Sequence, residues 1–154
     1  MRAAATFTVS DWTPLDLPTS VGGGDVPRTA APADAAAMVK TFAGDLAGRS
    51  VTWFVGGLNA DTGAGTYVAV EAFEGTLGDR SGSFGFVHAA STHGDDRFDE
   101  HFTVVPDSGT GALTGISGRG SLTVDADGTH RVELDYTLPD QGRPGSVVSP
   151  PARR

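Results

Sequence analysis

The stretch "GTLGDRSGSFGFVHAAS", residues 75–91, decides the fold. Glycines surround Asp79 and Arg80, and two aromatic residues, Phe84 and Phe86, then lead to His88. The glycines read as a hairpin corner. With Phe73 set opposite Phe84, Glu71 faces Phe86 and Ala69 faces His88. That register puts Tyr67, Glu71, Phe73, Phe84, Phe86 and His88 on one face, whereas a slip of one residue scatters them. Glu71 and His88 become diagonal neighbours, about 7–8 Å apart at the backbone, so their side chains can meet or share a water.

Outward from this hairpin the same grammar recurs. Apolar runs such as "SVTWFVGGL", "GTYVAVEAFEGTL" and "HRVELDYTL" alternate with glycine-bearing turns, the pattern of short antiparallel strands. The first strand is expected over Ala4–Trp12, where Phe7 and Val9 alternate with Thr6, Thr8 and Ser10. Residues 14–32 carry prolines and a triple glycine and are expected to lack strand structure. The helical-looking "ADAAAMV" is short and poorly capped, so it is expected to lead into a strand. Phe42, Gly44, Leu46, Arg49 and Ser50 recur at identical offsets as Phe73, Gly75, Leu77, Arg80 and Ser81, with a fainter echo at Gly111 and Leu113. The repeat reads as a strand-end corner in which glycine permits a bend, leucine covers the end, and the arginine stem packs over it. About eight such strands point to one all-β domain, an antiparallel barrel over residues 1–138, with a sandwich as the rival. Residues 139–154 are expected to form a disordered tail.

The chain has 154 residues, no cysteine and a formal net charge of −8. The charge disfavours nucleic acid, and the missing thiols exclude disulfides and cysteine nucleophiles. No stretch reaches transmembrane length, and the first residues lack the apolar run of a signal peptide. These features give the expectation of a soluble, cytoplasmic protein with no membrane partner.

"GTLGDRSGSF" and "VVPDSGTGALTGI", with "YVAVEAFE" before and "ELDY" after, resemble the DUF3224 family of small bacterial proteins. The resemblance runs from about Phe7 to Tyr136. It implies a calycin-like barrel resembling that of allene oxide cyclase, with a central cavity. Tyr67, Glu71, Arg80, Phe84, His88 and Gly109 match the family pattern, and Thr52, Phe98 and His101 depart from it.

The chemistry-bearing residues admit two readings each. Glu71 and His88 form either an acid/base pair in an aromatic pocket or a self-satisfying core pair. Lys40 either points inward as the counter-ion of Glu71 or snorkels from a strand end. Trp53 and Phe54 occupy opposite faces, so only one lines a cavity; Phe54 is taken as the lining residue. His101 shares its alternation with Thr103, and Tyr136 follows Val132 and Leu134 in phase; both are candidates for the cavity wall. The glycine-rich segments lack the helix and lysine of a phosphate loop, "DADG" lacks the later acidic ligands of a calcium loop, and no nucleophile elbow is present. The expected function is binding of a small hydrophobic, polyketide-like molecule, with cofactor-free isomerisation or cyclisation by Glu71 and His88 as the catalytic version. A carrier without turnover and a filled structural barrel are the alternatives. No cofactor or metal is implied, and a homo-oligomer is left open.

Overall fold

The computed structural model of the protein describes residues 1–139. Ten strands follow in chain order: β1 (Arg2–Leu15), β2 (Ser20–Val21), β3 (Gly24–Asp25), β4 (Ala33–Gly44), β5 (Leu46–Leu58), β6 (Gly65–Leu77), β7 (Arg80–Thr92), β8 (Phe98–Val104), β9 (Ser117–Val124) and β10 (His130–Thr137). Eight of them close a ring in the order β1-β10-β9-β8-β7-β6-β5-β4. β4 to β10 run as a meander, and β1 joins its two ends by pairing with both β4 and β10. The barrel reading therefore holds over the sandwich. The seam between β8 and β9 is joined by a single residue pair, Thr103 with Arg119.

The β6–β7 hairpin has the register expected from its aromatic pattern: Phe73 opposite Phe84, Glu71 opposite Phe86 and Ala69 opposite His88. Two expectations need correction. β1 continues past Trp12 to Leu15, and the segment 14–32 is not free of strand, because β2 and β3 form a two-residue hairpin. The triple glycine itself supplies the turn, with Gly22 and Gly23 at φ of 65° and 83°. The "ADAAAMV" segment is strand from Ala33 onward. Ala36 and Met38 share the inward face with Lys40 and Phe42, so burial overrides helix propensity. The expected disordered tail lies, apart from Pro139, outside the described residues.

One end of the barrel is packed shut. Phe7, Phe42, Phe73, Phe84, Phe86 and Phe102 line its interior, with successive ring centroids 4.8–5.9 Å apart. Leu46, Leu77 and Leu113, the leucines of the repeated corner, seal that end and are all buried. The corner also requires its glycine. Gly75 sits opposite Gly48 at φ of 153°, and a Cβ on either would overlap the facing backbone. Arg49 lies outside, 3.7 Å from Glu74 on the neighbouring strand.

Phe73 is 1% exposed and far from the open end, so it tests this packing alone. Phe73→Ala is expected to cost about 3–5 kcal/mol in urea unfolding. Trp53→Phe, on the half-exposed outer face, is expected to stay within about 0.5 kcal/mol.

Candidate functional site

The inward face changes character halfway along the barrel. On four consecutive strands the residue next to the phenylalanine layer is polar: Lys40 on β4, Ser50 on β5, Glu71 on β6 and His88 on β7. Lys40 pairs with Ser50, Glu71 with Thr52 and His88 with Ala69, so the polar residues step one inward position per strand from β5 to β7 and their side chains converge across the tilted strands. Lys40 Nζ donates to Glu71 Oε2 at 2.7 Å, and Ser50 Oγ donates to Glu71 Oε1. His88 Nε2 lies 3.2 Å from Glu71 Oε2 and 3.4 Å from Lys40 Nζ. Lys40 Nζ also lies 4.8 Å from the centre of the Phe7 ring, a cation–π distance. Lys40 is thus inward and 4% exposed, and Glu71 is fully buried.

The network continues towards solvent. His88 Nδ1 is 3.1 Å from the Tyr67 hydroxyl, which accepts from Arg97 Nη2 at 3.0 Å. Arg97 is held in turn by Glu100 at 2.7 Å. One assignment of protons satisfies every member: Arg97 donates to Tyr67, Tyr67 to His88 Nδ1, and His88 Nε2–H to Glu71. A lone pair on Nε2 would instead face the carboxylate. In this assignment every donor along the chain from Arg97 points inward, and the chain ends on Glu71.

Above this network the barrel is open. A cavity of about 250 Å³ reaches Lys40, Thr52, His88 and Arg97 between apolar walls that include Phe7, Met38 and Leu122. It adjoins a cleft of about 440 Å³ that extends over Gly57, Leu58 and Ala90. Trp12, Phe54, Tyr67 and Arg97 border both. Phe54 stacks on Tyr67 at 5.0 Å, and Trp12 lies 5.8 Å from Phe54. Phe54, not Trp53, is the lining residue.

Five expected wall residues lie elsewhere. Phe73, Phe84 and Phe86 point inward, but they are core filling below the polar level. Tyr136 has the expected phase and packs on the core, yet it sits at the closed end, where its backbone pairs with Met1. His101 is on the outer face, because Phe102 and Val104 take the inward positions of β8. Pairing is regular from His101 to Val104; the left-handed Asp99, at φ of 50°, and a register shift between Ala89 and Ser91 lie before it. Sequence reasoning missed Arg97, Trp12, Ser50 and the role of Thr52. Ser50 and Thr52 share the phase of Phe54 and were legible from it; the lone Arg97 in a polar turn carries no such signal.

The family model described as a protein of unknown function, DUF3224, matches residues 3–136. The chain belongs to the DUF3224 family. A crystal structure of a DUF3224 protein with unknown function from Shewanella oneidensis MR-1 is similar at 31% identity, with a TM-score of 0.74 over 90% of this chain and 96% of that one. None of the curated proteins matches the chain. This DUF3224 chain contains no helix, among the described residues, that is long and apolar enough to cross a membrane.

The electrostatics follow from the geometry. Burial is the largest effect on Glu71 and pushes its carboxyl up, but His88, Lys40 and Ser50 together outweigh it and hold the group below its ordinary range. Burial also dominates at His88 and, with the charges of Lys40 and Arg97, depresses the imidazole against the pull of Glu71. The resting site is a lysine–carboxylate pair beside a neutral histidine.

Two predictions follow from this charge arrangement. Both groups bind fewer protons folded than unfolded on the acid side, so acid destabilises the fold. The His88 contribution is complete above the ordinary imidazole value and is lost as pH falls from there through the depressed one. The Glu71 contribution is lost lower still. An NMR titration is expected to show His88 neutral where a free imidazole is half protonated. Lys40→Met removes one partner of a buried pair and is expected to cost about 3–5 kcal/mol in urea unfolding, with Lys40→Met/Glu71→Leu recovering most of it.

Proposed function

We propose that this DUF3224 protein binds a small apolar molecule in the open end of its barrel, with the Lys40–Glu71–His88–Tyr67 network as the polar floor. The observation that carries this reading is the change of filling along one interior. Half is closed by phenylalanine and leucine; the other half leaves about 250 Å³ over four convergent polar groups and opens into a wider cleft. Concave apolar space with a few placed polar groups is how small-molecule sites are built. The aromatic rim of Trp12, Phe54 and Tyr67 supplies flat contact area at low entropic cost.

A second reading, isomerisation or cyclisation by proton transfer without a cofactor, is favoured by the directed chain from Tyr67 to Glu71. A proton leaving a ligand carbon can pass to the Tyr67 oxygen while the Tyr67 proton moves to His88 Nδ1. The imidazolium so formed faces the Glu71 carboxylate, and Arg97 faces the oxygen that loses the proton. Return of the proton to another carbon completes an isomerisation with nothing consumed. In this reading Tyr67 touches the ligand, His88 stores the proton, and Glu71, which has no exposed surface, positions and stabilises His88 much as the acid of a catalytic triad does. The allene oxide cyclase-like barrel implied by the resemblance belongs to this proposal as an analogy of fold.

Titration with 2-ethylnaphthalene, followed by amide NMR, is expected to shift resonances around Trp12, Phe54, Tyr67 and His88 and to leave those around Tyr136 in place. Shifts at the closed end instead would remove the binding reading. For the proton-transfer reading, the measurement is entry of solvent deuterium into the methyl group of 2-acetonaphthone. Tyr67→Phe and His88→Gln are each expected to slow it by about 10²–10⁴-fold while the ketone still binds. Equal rates in parent and variants would leave binding without turnover.

A further inference from the structure

Thr52 is 1% exposed, and its hydroxyl is the one buried side-chain polar atom without a hydrogen-bond partner among the described residues. It lies on β5 between Met38 and Glu71 of the neighbouring strands. Ser50, one inward position below it on the same strand, is satisfied by Glu71 Oε1. The carboxylate accepts from Ser50, Lys40 and His88 and makes no hydrogen bond to Thr52. Leaving a buried donor unpaired is costly. The residue carrying it borders the 250 Å³ cavity. Lys40 borders the same cavity and spends one ammonium proton on Glu71, leaving donor capacity beside it.

We infer that the cavity is built for a neutral, carbonyl-bearing apolar compound, an aryl or alkyl ketone, enone or lactone, whose oxygen accepts from Thr52 and Lys40. The inference rests on the binding reading above and names the ligand class. Two arguments fix it. The unmet need in the pocket is for an acceptor, since Thr52 makes no bond to the carboxylate beside it and the other groups lining the cavity there are an ammonium and hydrocarbon. The local charge is already balanced, as Lys40 and Glu71 cancel, Arg97 is paired with Glu100 and His88 is neutral at rest. A buried carboxylate ligand would bring a charge with no counter-ion of its own, whereas a carbonyl brings the lone pairs alone. With its oxygen there, the carbon skeleton lies against Phe7, Met38, Phe54 and Leu122, and its outer end faces the cleft under Trp12.

Three probes of one shape separate the possibilities: 2-acetonaphthone, 2-ethylnaphthalene and 2-naphthoate, each titrated by NMR into the full chain. The ketone is expected to bind about 10-fold more tightly than the hydrocarbon, the size of one hydrogen bond, and more tightly than the carboxylate. Its ¹³C carbonyl resonance is expected to move downfield on binding. Thr52→Val, which keeps the shape and removes the hydroxyl, is expected to abolish the ketone's advantage without weakening 2-ethylnaphthalene. Thr52→Ser, which keeps the hydroxyl, is expected to retain the advantage and serves if Thr52→Val does not fold. Equal binding of ketone and hydrocarbon by the parent would overturn the carbonyl inference and leave apolar binding standing. So would tightest binding of 2-naphthoate, or a Thr52→Val protein that keeps the ketone preference. Failure of all three probes to bind would overturn both readings.

Discussion

Glu71 is a carboxylate with no contact with water, and the middle of the barrel is arranged around keeping it charged. An ionised group of this kind is tolerated only where its lone pairs are met by donors and its charge by a cation. Ser50, Lys40 and His88 meet both needs from three different strands. The residues one position below these are hydrocarbon, and the residues above border open space. The polar level therefore works as a floor. Its geometry depends on the register of β4 to β7, because a slip of one residue in any of them would replace a donor by a side chain from the outer face.

This floor separates two kinds of interior. Below it, aromatic rings touch in sequence from Phe7 to Phe102 and leave no space for a ligand. Above it, the aromatic groups stand at the rim and leave room. Phenylalanines of neighbouring strands thus serve two ends: Phe42 and Phe73 fill the closed half, and Phe54 lines the open one. The organisation also lets a fully buried carboxylate act on the cavity without touching it. Glu71 holds Lys40 and His88 in fixed orientations, and those two groups reach the cavity.

The hairpin register was legible in the sequence because period-two alternation ties each residue to a face, and only one register gathers the aromatics with Glu71 and His88. The repeated corner was legible for a similar reason, as glycine and leucine recur where strands end. Height along the barrel was not legible. Tyr136 and Phe84 have the right phase but lie at the closed end, and phase carries no information on the stagger that sets height. His101 was misread because its phase, shared with Thr103, was given the inward face that Phe102 and Val104 hold. Arg97 could not be found at all, since its contact with Tyr67 joins a loop to a strand through tertiary packing alone.

The order in which the ring is built has a consequence for how the ion cluster comes to be buried. Lys40, Ser50, Glu71 and His88 sit on four strands that follow one another in the chain and pair as successive hairpins. Their mutual contacts span 17 to 48 residues of chain but stay within these four strands, and none of them crosses the junction of β1 with β10. Closure needs β1, made first, to meet β10, made last, and so bears the long-range cost of the topology. The charged groups can pair on an open sheet while water still reaches them, and the hydrophobic lid arrives afterwards. A carboxylate and an ammonium that meet in this sequence are never required to cross into the interior alone, which is the step that would make such a core kinetically inaccessible.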